Sequence, residues 1–427
     1  MSTVVASPRI QGLVCRACGT ETAIAATNMC EQCFGPLEVR YDYEEIRRRI
    51  SRASIAAGPT SIWRYRDLLP VELEAGEEPI TLGEGFTPLI HARGLGRRLG
   101  LRNLYLKNDT MNPTNSFKDR VVSVAVTWAA QQGYATVGCA STGNLANSVA
   151  AYAARAGLRA VVIIPADLEP AKVAATAAFR PTLVRVEGNY DEVNRLCSEL
   201  VDELGWAFCN INIRPFYAEG SKTLTFETAE QLGWRLPDEV IIPVASGCQF
   251  IKHYKAIEEL QLLGLVDPGG PTPRLTGAQA EGCSPVARAF RDGDTVCTPV
   301  RPDTIARSIA IGSPSDGSFV LEYARETGGT VASVSDAEII EGVELLAETE
   351  GILAEPAGGT VVATLRKLAA AGRWQGGETV VAYITGHGLK AMDVLQGRAS
   401  LDDPITPSLG AFRARYLSGS PAVAPGD

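Results

Sequence analysis

One lysine and four cysteines carry the clearest chemical signals in this chain of 427 residues. Lys118 stands in residues 112–120, NPTNSFKDR, where a proline and polar residues give way to the helical pattern Val121, Val122, Ala125 and Ala129. The pattern predicts Lys118 in the first turn of a helix, with Ser116 and Asp119 spaced as a capping box. There the positive end of the helix dipole disfavours the ammonium form, by roughly 0.3 to 1 kcal/mol at exposed sites. A free amine is what Schiff-base chemistry with a carbonyl needs. The same residues also fit an ordinary solvated lysine at a helix start. Cys15 and Cys18 form one CxxC pair and Cys30 and Cys33 another, 11 residues on. That spacing fits a tetrahedral four-cysteine zinc site of ribbon type, with free thiols as the alternative. A unit of about 30 residues cannot form a stable core without a metal or disulfides. Four thiolates fill a tetrahedral ion, so such a site is structural.

Three turns add polar groups at strand ends. Residues 140–147, ASTGNLAN, offer Ser141, Thr142 and free amides around Gly143 as a seat for a carboxylate at a helix N-terminus, and Asn144 as a donor. Residues 243–250, PVASGCQF, are small enough for backbone N–H groups to approach a phosphate. No GK[ST] follows, so this is not a Walker loop. Residues 383–390, YITGHGLK, bring the neutral hydroxyl of Thr385 and the imidazole of His387. Taken singly, each turn has a plain structural reading as a cap or a strand end. His91 and His253 have no partner pattern and read as structural, and the cysteines outside the two pairs read as core except Cys248.

The elements that must hold these turns are legible from periodicity. Strand-like runs at 135–140, 160–164, 182–186, 239–244, 274–279 and 379–384, and another through Phe208, alternate with helical segments at 143–155, 170–179 and 190–204. Continuous apolar strands alternating with helices predict βαβ units and parallel sheets. Two α/β units, the smaller inserted in the larger, would leave a cleft between them. Hydrophobic residues make up 45% and charged residues 21%, the balance of a globular protein with material for a large core. A net charge of −9 argues against nucleic acid or an anionic membrane as partner. No run approaches the roughly 18 apolar residues of a membrane span, and the start of the chain is not read as a secretory signal. A reducing, cytoplasmic setting is expected.

Taken in order, NPTNSFKDR, ASTGNLANSVAAYAARAG, YAEGSKTLTFE, IIPVASG, GAQAEGCSPVARAF, SIAIGSP, EGILAEPAGGT and ITGHGLK resemble the threonine synthases, pyridoxal-phosphate (PLP) enzymes of the tryptophan-synthase-β-like fold. The resemblance covers residues from about 79 to 392. It implies two doubly wound α/β domains, the large one from 79–120 and 230–395 and the small one from 121–229. The zinc ribbon then spans 12–40, a docking linker 41–78 and a C-terminal tail 396–427. The resemblance also implies roles. Lys118 would form the Schiff base with the cofactor and move protons at the substrate's α, β and γ carbons, beside Phe117. Ser246, Gly247, Cys248 and Gln249 would cradle the cofactor phosphate, Asn144 would bond the ring's 3-oxygen, and Thr385 would meet the ring nitrogen. Ser141 and Thr142 would take the substrate carboxylate, with Arg214 and Lys222 toward its phosphate.

The substrate so implied is O-phosphohomoserine, converted with water to L-threonine and phosphate by a lyase that relatives commonly run as a homodimer. Departures from the family pattern leave an alternative open. Asn115 replaces a common glycine, Leu145 a common threonine, and the phosphate loop reads ASGCQ. Tyr217 stands where some members have a phosphate-binding arginine, with Arg214 as the stand-in. A paralogous β- or γ-replacement enzyme of cysteate-synthase type, acting on another O-activated amino acid, fits the same cofactor residues. A binding protein that kept the fold is the third reading.

Overall fold

The computed structural model describes residues 7–141, 143–166, 170–187, 190–396 and 403–417. Short strands rich in Val and Ile, separated by helices, build its sheets. In chain order they are β1 (Ile10–Cys15), β2 (Glu21–Thr22), β3 (Leu37–Tyr41), β4 (Leu89–His91), β5 (Asn103–Asn108), β6 (Thr136–Ala140) and β7 (Arg159–Pro165). Then follow β8 (Thr182–Val186), β9 (Ala207–Phe208), β10 (Glu239–Pro243), β11 (Arg274–Ala280), β12 (Thr330–Val334) and β13 (Thr379–Ile384). Residues through Ala391 form one compact unit, and the chain from Met392 forms a second, whose described part holds the helix Leu409–Tyr416.

Two of the three sheets in the first unit are built by crossovers. The smaller has the order β8-β7-β6-β9, all parallel. The larger has the order β12-β11-β10-β13-β5-β4. Its strands pair in parallel up to β5, while β4 joins the edge antiparallel, so this sheet is mixed and not purely parallel as expected. Strands β10, β11 and β13 are almost wholly buried, as strands covered on both faces must be. The α/β architecture expected from periodicity is present, with the strands of the small sheet contiguous in sequence and those of the large sheet drawn from both sides of them.

The third sheet, β2-β1-β3, is antiparallel and carries the four paired cysteines on and beside its strands. The stretch after it is no free tether. Ile46, Ile55, Ile62, Trp63, Tyr65 and Leu68 enter the same apolar cluster as Val121 and Val149. Trp63 Nε1 donates to Glu84 and to Ser123 on the helix Lys118–Gln131, at 3.0 Å each. Among the described residues, no helix is long and apolar enough to cross a membrane.

Candidate active site

Lys118 opens the helix Lys118–Gln131, as its surroundings in sequence predict, but the cap differs from expectation. Phe117 is the N-cap, and no side chain caps the helix. Asp119 accepts instead from the N–H and Oγ1 of Thr114, both at 2.6 Å, and from Ser148 Oγ at 2.7 Å. Ser116 Oγ is buried without a partner. The capping box is therefore replaced by a clasp that folds residues 114–119 back on themselves. Asn115 makes this turn at φ 61°, a left-handed value that asparagine tolerates better than most residues.

Arg120 locks the other side. Its buried guanidinium reaches Asp109 at 2.7 and 2.8 Å and Glu227 at 2.5 and 2.9 Å. Lys107 shares Glu227 at 2.6 Å. Lys118 thus stands between two anchored neighbours. The turn is also zipped to the end of β13: Phe117 N–H donates to Thr385 O at 2.8 Å, and His387 N–H to Asn115 O at 3.0 Å.

The Lys118 amine stands 5.2 Å from the Phe117 ring centroid and 5.9 Å from that of Tyr217. It makes no hydrogen bond or ion pair among the described residues. Burial lowers its pKa, a shift opposed by the nearby Cys248 and Glu355. The direction favours the free amine, and desolvation is the leading cause.

Near it, at Cys248, Gly247 is the N-cap of the helix Cys248–Leu262, at φ 97°. A Cβ there would lie 2.8 Å from Val320 Cγ2 and 2.9 Å from Asp316 Cβ, so conformation and space both select glycine. Gln249 Nε2 is buried without a partner, and the helix has no side-chain cap. An orphaned amide, an uncapped helix N-terminus and a glycine turn are what a phosphate would satisfy. Burial raises the Cys248 thiol, the nearby Arg214 opposing, so it stays neutral.

Asn144 opens the helix Asn144–Ala156 at the carboxyl end of β6. Its Nδ2 donates to both oxygens of Glu355 at 3.0 Å, and its Oδ1 accepts from Lys390 Nζ at 3.0 Å. Ser308 Oγ donates to Glu355 at 3.1 Å. Glu355 is buried, which raises its pKa against the pull of Asn144, Lys390 and Lys118. Glu355, Lys390 and Ser308 form part of the site without having stood out in sequence. Thr385 is buried at the end of β13. Ser141 lies half-buried and accepts from Gly143 N–H at 3.4 Å, while Thr142 lies outside the described residues.

The site therefore gathers at the carboxyl ends of β6, β10 and β13, where open α/β sheets bind their ligands. A family model described as "Pyridoxal-phosphate dependent enzyme" matches residues 80–386. The threonine synthase of Methanocaldococcus jannaschii is 38% identical over 381 residues, covering 89% of this chain and 93% of that one. That of Methanosarcina acetivorans is 40% identical over 381 residues, covering 88% and 92%. This chain belongs to the threonine synthase family of pyridoxal-phosphate-dependent lyases. Solved structures agree on the fold: maize serine racemase superposes with a TM-score of 0.62 at 19% identity, covering 73% of this chain and 91% of that one. The processed form of threonine deaminase isoform 2 from Solanum lycopersicum superposes at 0.61 and 20%, covering 83% and 94%.

One residue expected to face substrate is placed otherwise than the family pattern implied. Lys222 is a correction. Its ammonium is fully enclosed, bonded to Glu219 at 2.7 Å and Glu259 at 2.9 Å, and lies 4.4 Å from the Tyr41 ring centroid. An amine so paired has nothing left for a substrate phosphate. Arg214 lies beside the Cys248 turn, with Nη2 bonded to Ser315 at 2.9 Å and to Asp316. His253 is structural, stacked on Tyr383 with ring centroids 4.5 Å apart.

The four cysteines are brought together, all their sulfurs lying within 4.8 Å of one another. Cys15 and Cys33 approach to 3.4 Å and Cys18 and Cys30 to 3.8 Å. Four thiolates about 2.3 Å from one tetrahedral ion stand about 3.8 Å apart, whereas a disulfide needs about 2.05 Å. Backbone N–H groups of Gln32 and Gly35 donate to Cys30 and Cys33 at 3.4 Å each. A Cβ on Gly35 would come 2.9 Å from Cys15 Sγ, so this cradle too needs a glycine. The set fits a tetrahedral metal ion.

Proposed function

We propose that the protein is a threonine synthase, converting O-phospho-L-homoserine and water to L-threonine and phosphate. What carries this reading is the buried amine of Lys118 near Cys248, in a chain 38–40% identical to threonine synthases over nearly its full length.

Bound pyridoxal phosphate supplies an aldehyde that condenses with amines and a conjugated ring that takes up the electron pair released at the substrate's α carbon. The protein supplies orientation and proton transfer. Gly247, Cys248 and Gln249 offer backbone N–H groups and the Gln249 amide to the cofactor phosphate, with Ser246 beside them. Phe117 flanks the lysine. Asn144, fixed by Glu355 and Lys390, would bond the ring oxygen of the bound cofactor. Thr385 offers the ring nitrogen a hydroxyl, which cannot keep that nitrogen protonated as a carboxylate would. Ser141, with Thr142, binds the substrate carboxylate at the N-terminus of the helix Asn144–Ala156. Arg214 keeps Nε and Nη1 for the substrate phosphate. The depressed pKa of Lys118 suits it to accept the α proton and return protons at the β and γ carbons. Phosphate leaves from the γ carbon, and water adds at the β carbon.

The four-cysteine set holds a structural zinc ion in this reading, as unoxidised thiolates, which suits a reducing, cytoplasmic compartment. In Lys118→Ala the visible absorption of the bound cofactor disappears and threonine formation is lost. Phosphate release from O-phosphohomoserine, matched mole for mole by threonine, tests the substrate. Release from O-phosphoserine with added sulfite, and none from phosphohomoserine, would instead establish the paralogous replacement enzyme.

A further inference from the structure

Arg16 lies inside the first CxxC pair, and its guanidinium reaches out of the cysteine module. It meets Glu38 Oε2 at 2.7 Å through Nη2, and its Nη1 lies 3.6 Å from Asp316 Oδ1. Its guanidinium carbon stands 5.2 Å from the ring centroid of Phe319, on the helix Gly317–Glu326. The side chains of Arg16 and Asp316 are 9% and 1% exposed, so this pair is far less screened than one at the surface.

Asp316 forms the wall behind the phosphate turn. Its N–H donates to Ser246 O at 2.9 Å, its Cβ fills the space beside Gly247, and its carboxylate also holds Arg214. A second route leads to the other half of the turn. Glu38, on β3, accepts from Lys252 Nζ at 2.9 Å, and Lys252 lies one turn beyond Cys248 on the helix whose N-terminus faces the phosphate. Two charged links thus run from the cysteine module to the loop and to the helix that together make the cradle. Both converge on one arginine–glutamate pair.

We propose that Arg16 is a positioning residue for the cofactor phosphate, coupling metal occupancy of the four-cysteine site to the affinity for pyridoxal phosphate. A metal bound to Cys15 and Cys18 fixes the backbone on both sides of Arg16, and so the point from which its guanidinium holds Asp316. Without the metal that point is free, Asp316 is held by Arg214 alone, and the Ser246–Gly247 turn loses its backing. Coupling of this kind is reciprocal: the cofactor must tighten metal binding by the factor by which the metal tightens the cofactor. The inference rests on the assignment of the phosphate turn and of the cysteines as a metal site.

The test titrates pyridoxal phosphate into the zinc-loaded, cofactor-free full chain, following the visible band and measuring zinc content in the same samples. Arg16→Gln keeps its zinc and binds the cofactor on the order of ten-fold more weakly, and Arg16→Lys recovers part of the loss. Arg16→Gln with full zinc and the parent's affinity would overturn the proposal. Should that variant not retain zinc, the unaltered chain decides: its zinc affinity, measured at equilibrium against a competing chromogenic chelator, is higher with saturating cofactor by a comparable factor, and equal affinities would overturn the coupling. A parent chain that takes up no cofactor or no zinc overturns the site assignment itself, a result separate from either of these.

Discussion

Glu355 concentrates the residue-scale chemistry because it meets the site's charges at once. Both its oxygens accept from one Asn144 nitrogen, it lies close to Lys390 and Lys118, and it is buried. Glu355→Gln replaces a charged acceptor by an amide that can rotate and donate, so Asn144 loses its fixed orientation. We expect turnover to fall by up to about 100-fold, the scale of a misplaced positioning group, with a smaller change in KM. Steady-state kinetics at saturating cofactor check this, and unchanged turnover would mean that Lys390 alone orients Asn144. Sequence could not single out Glu355, because a glutamate before a proline in EPAGG reads as a helix start. Its partners Asn144 and Ser308 are 211 and 47 positions away. The helix starts at Lys118 and Asn144 and the Gly247 turn were legible because each is set by its own neighbours. Lys222 was misread for the opposite reason: it belongs to a recognisable stretch, yet the chain turns it inward onto Glu219 and Glu259, which no local pattern reveals.

At the scale of elements, the cysteine module is the part whose order depends most on something other than its own core. Its sheet has two-residue β2 at one edge, and Cys18 and Cys33 are exposed. On the other side β3 is gripped by polar bonds: Tyr43, next to it, donates to Glu259 at 2.9 Å, and Lys255 donates to Val39 O at 2.7 Å. If the four cysteines hold a metal, its removal by a chelator should free the knuckles around Cys18 and Cys33 before it frees β3. Hydrogen exchange on chelated protein is expected to rise first in residues 16–35 and to stay near its original rate in the helix Lys118–Gln131. Uniform deprotection across both would show that the module and the core unfold together. Strand reading from sequence did well where burial is on both faces, as for β6, β10 and β13, whose residues are small or apolar nearly throughout. Outside the cysteine module it missed β4, β5 and β12. Strand β4 has three half-buried residues, β5 reads NLYLKN with its lysine buried on Glu227, and β12 is partly polar and half-buried, so none carries the expected signature.

For the molecule as a whole, pH should act on stability through His253. Burial pushes its pKa down from 6.5 to about 3, with Arg120 adding to the effect, and its Nε2 has no partner. The folded state therefore keeps the imidazole neutral over a range in which the unfolded chain protonates it. The contribution is fully present above about pH 6.5 and is lost as the pH falls toward 3, at about 1.4 kcal/mol per pH unit. Asp119 acts in the opposite sense. Burial raises it to about 6 against the bonds from Thr114 and Ser148, so the folded state holds its proton longer than the unfolded one, and its stability term declines as the pH rises to that value. Comparing the parent with His253→Gln isolates the first effect. Denaturant midpoints of the two should converge as the pH is lowered from 7 to 4, and parallel curves would rule out His253 as the source.

The place of β13 bears on how the polypeptide is made. It is the last strand among the described residues, yet it lies between β10 and β5 in the middle of the large sheet. While a ribosome is still short of Ile384, β5 and β10 have no partner on their inner sides, whereas β6 to β9 have already emerged in succession and can pair. Unpaired strand edges are where chains stick to one another. The half-synthesised polypeptide is thus the form most open to aggregation, and the need for chaperones falls on nascent chains more than on the finished protein.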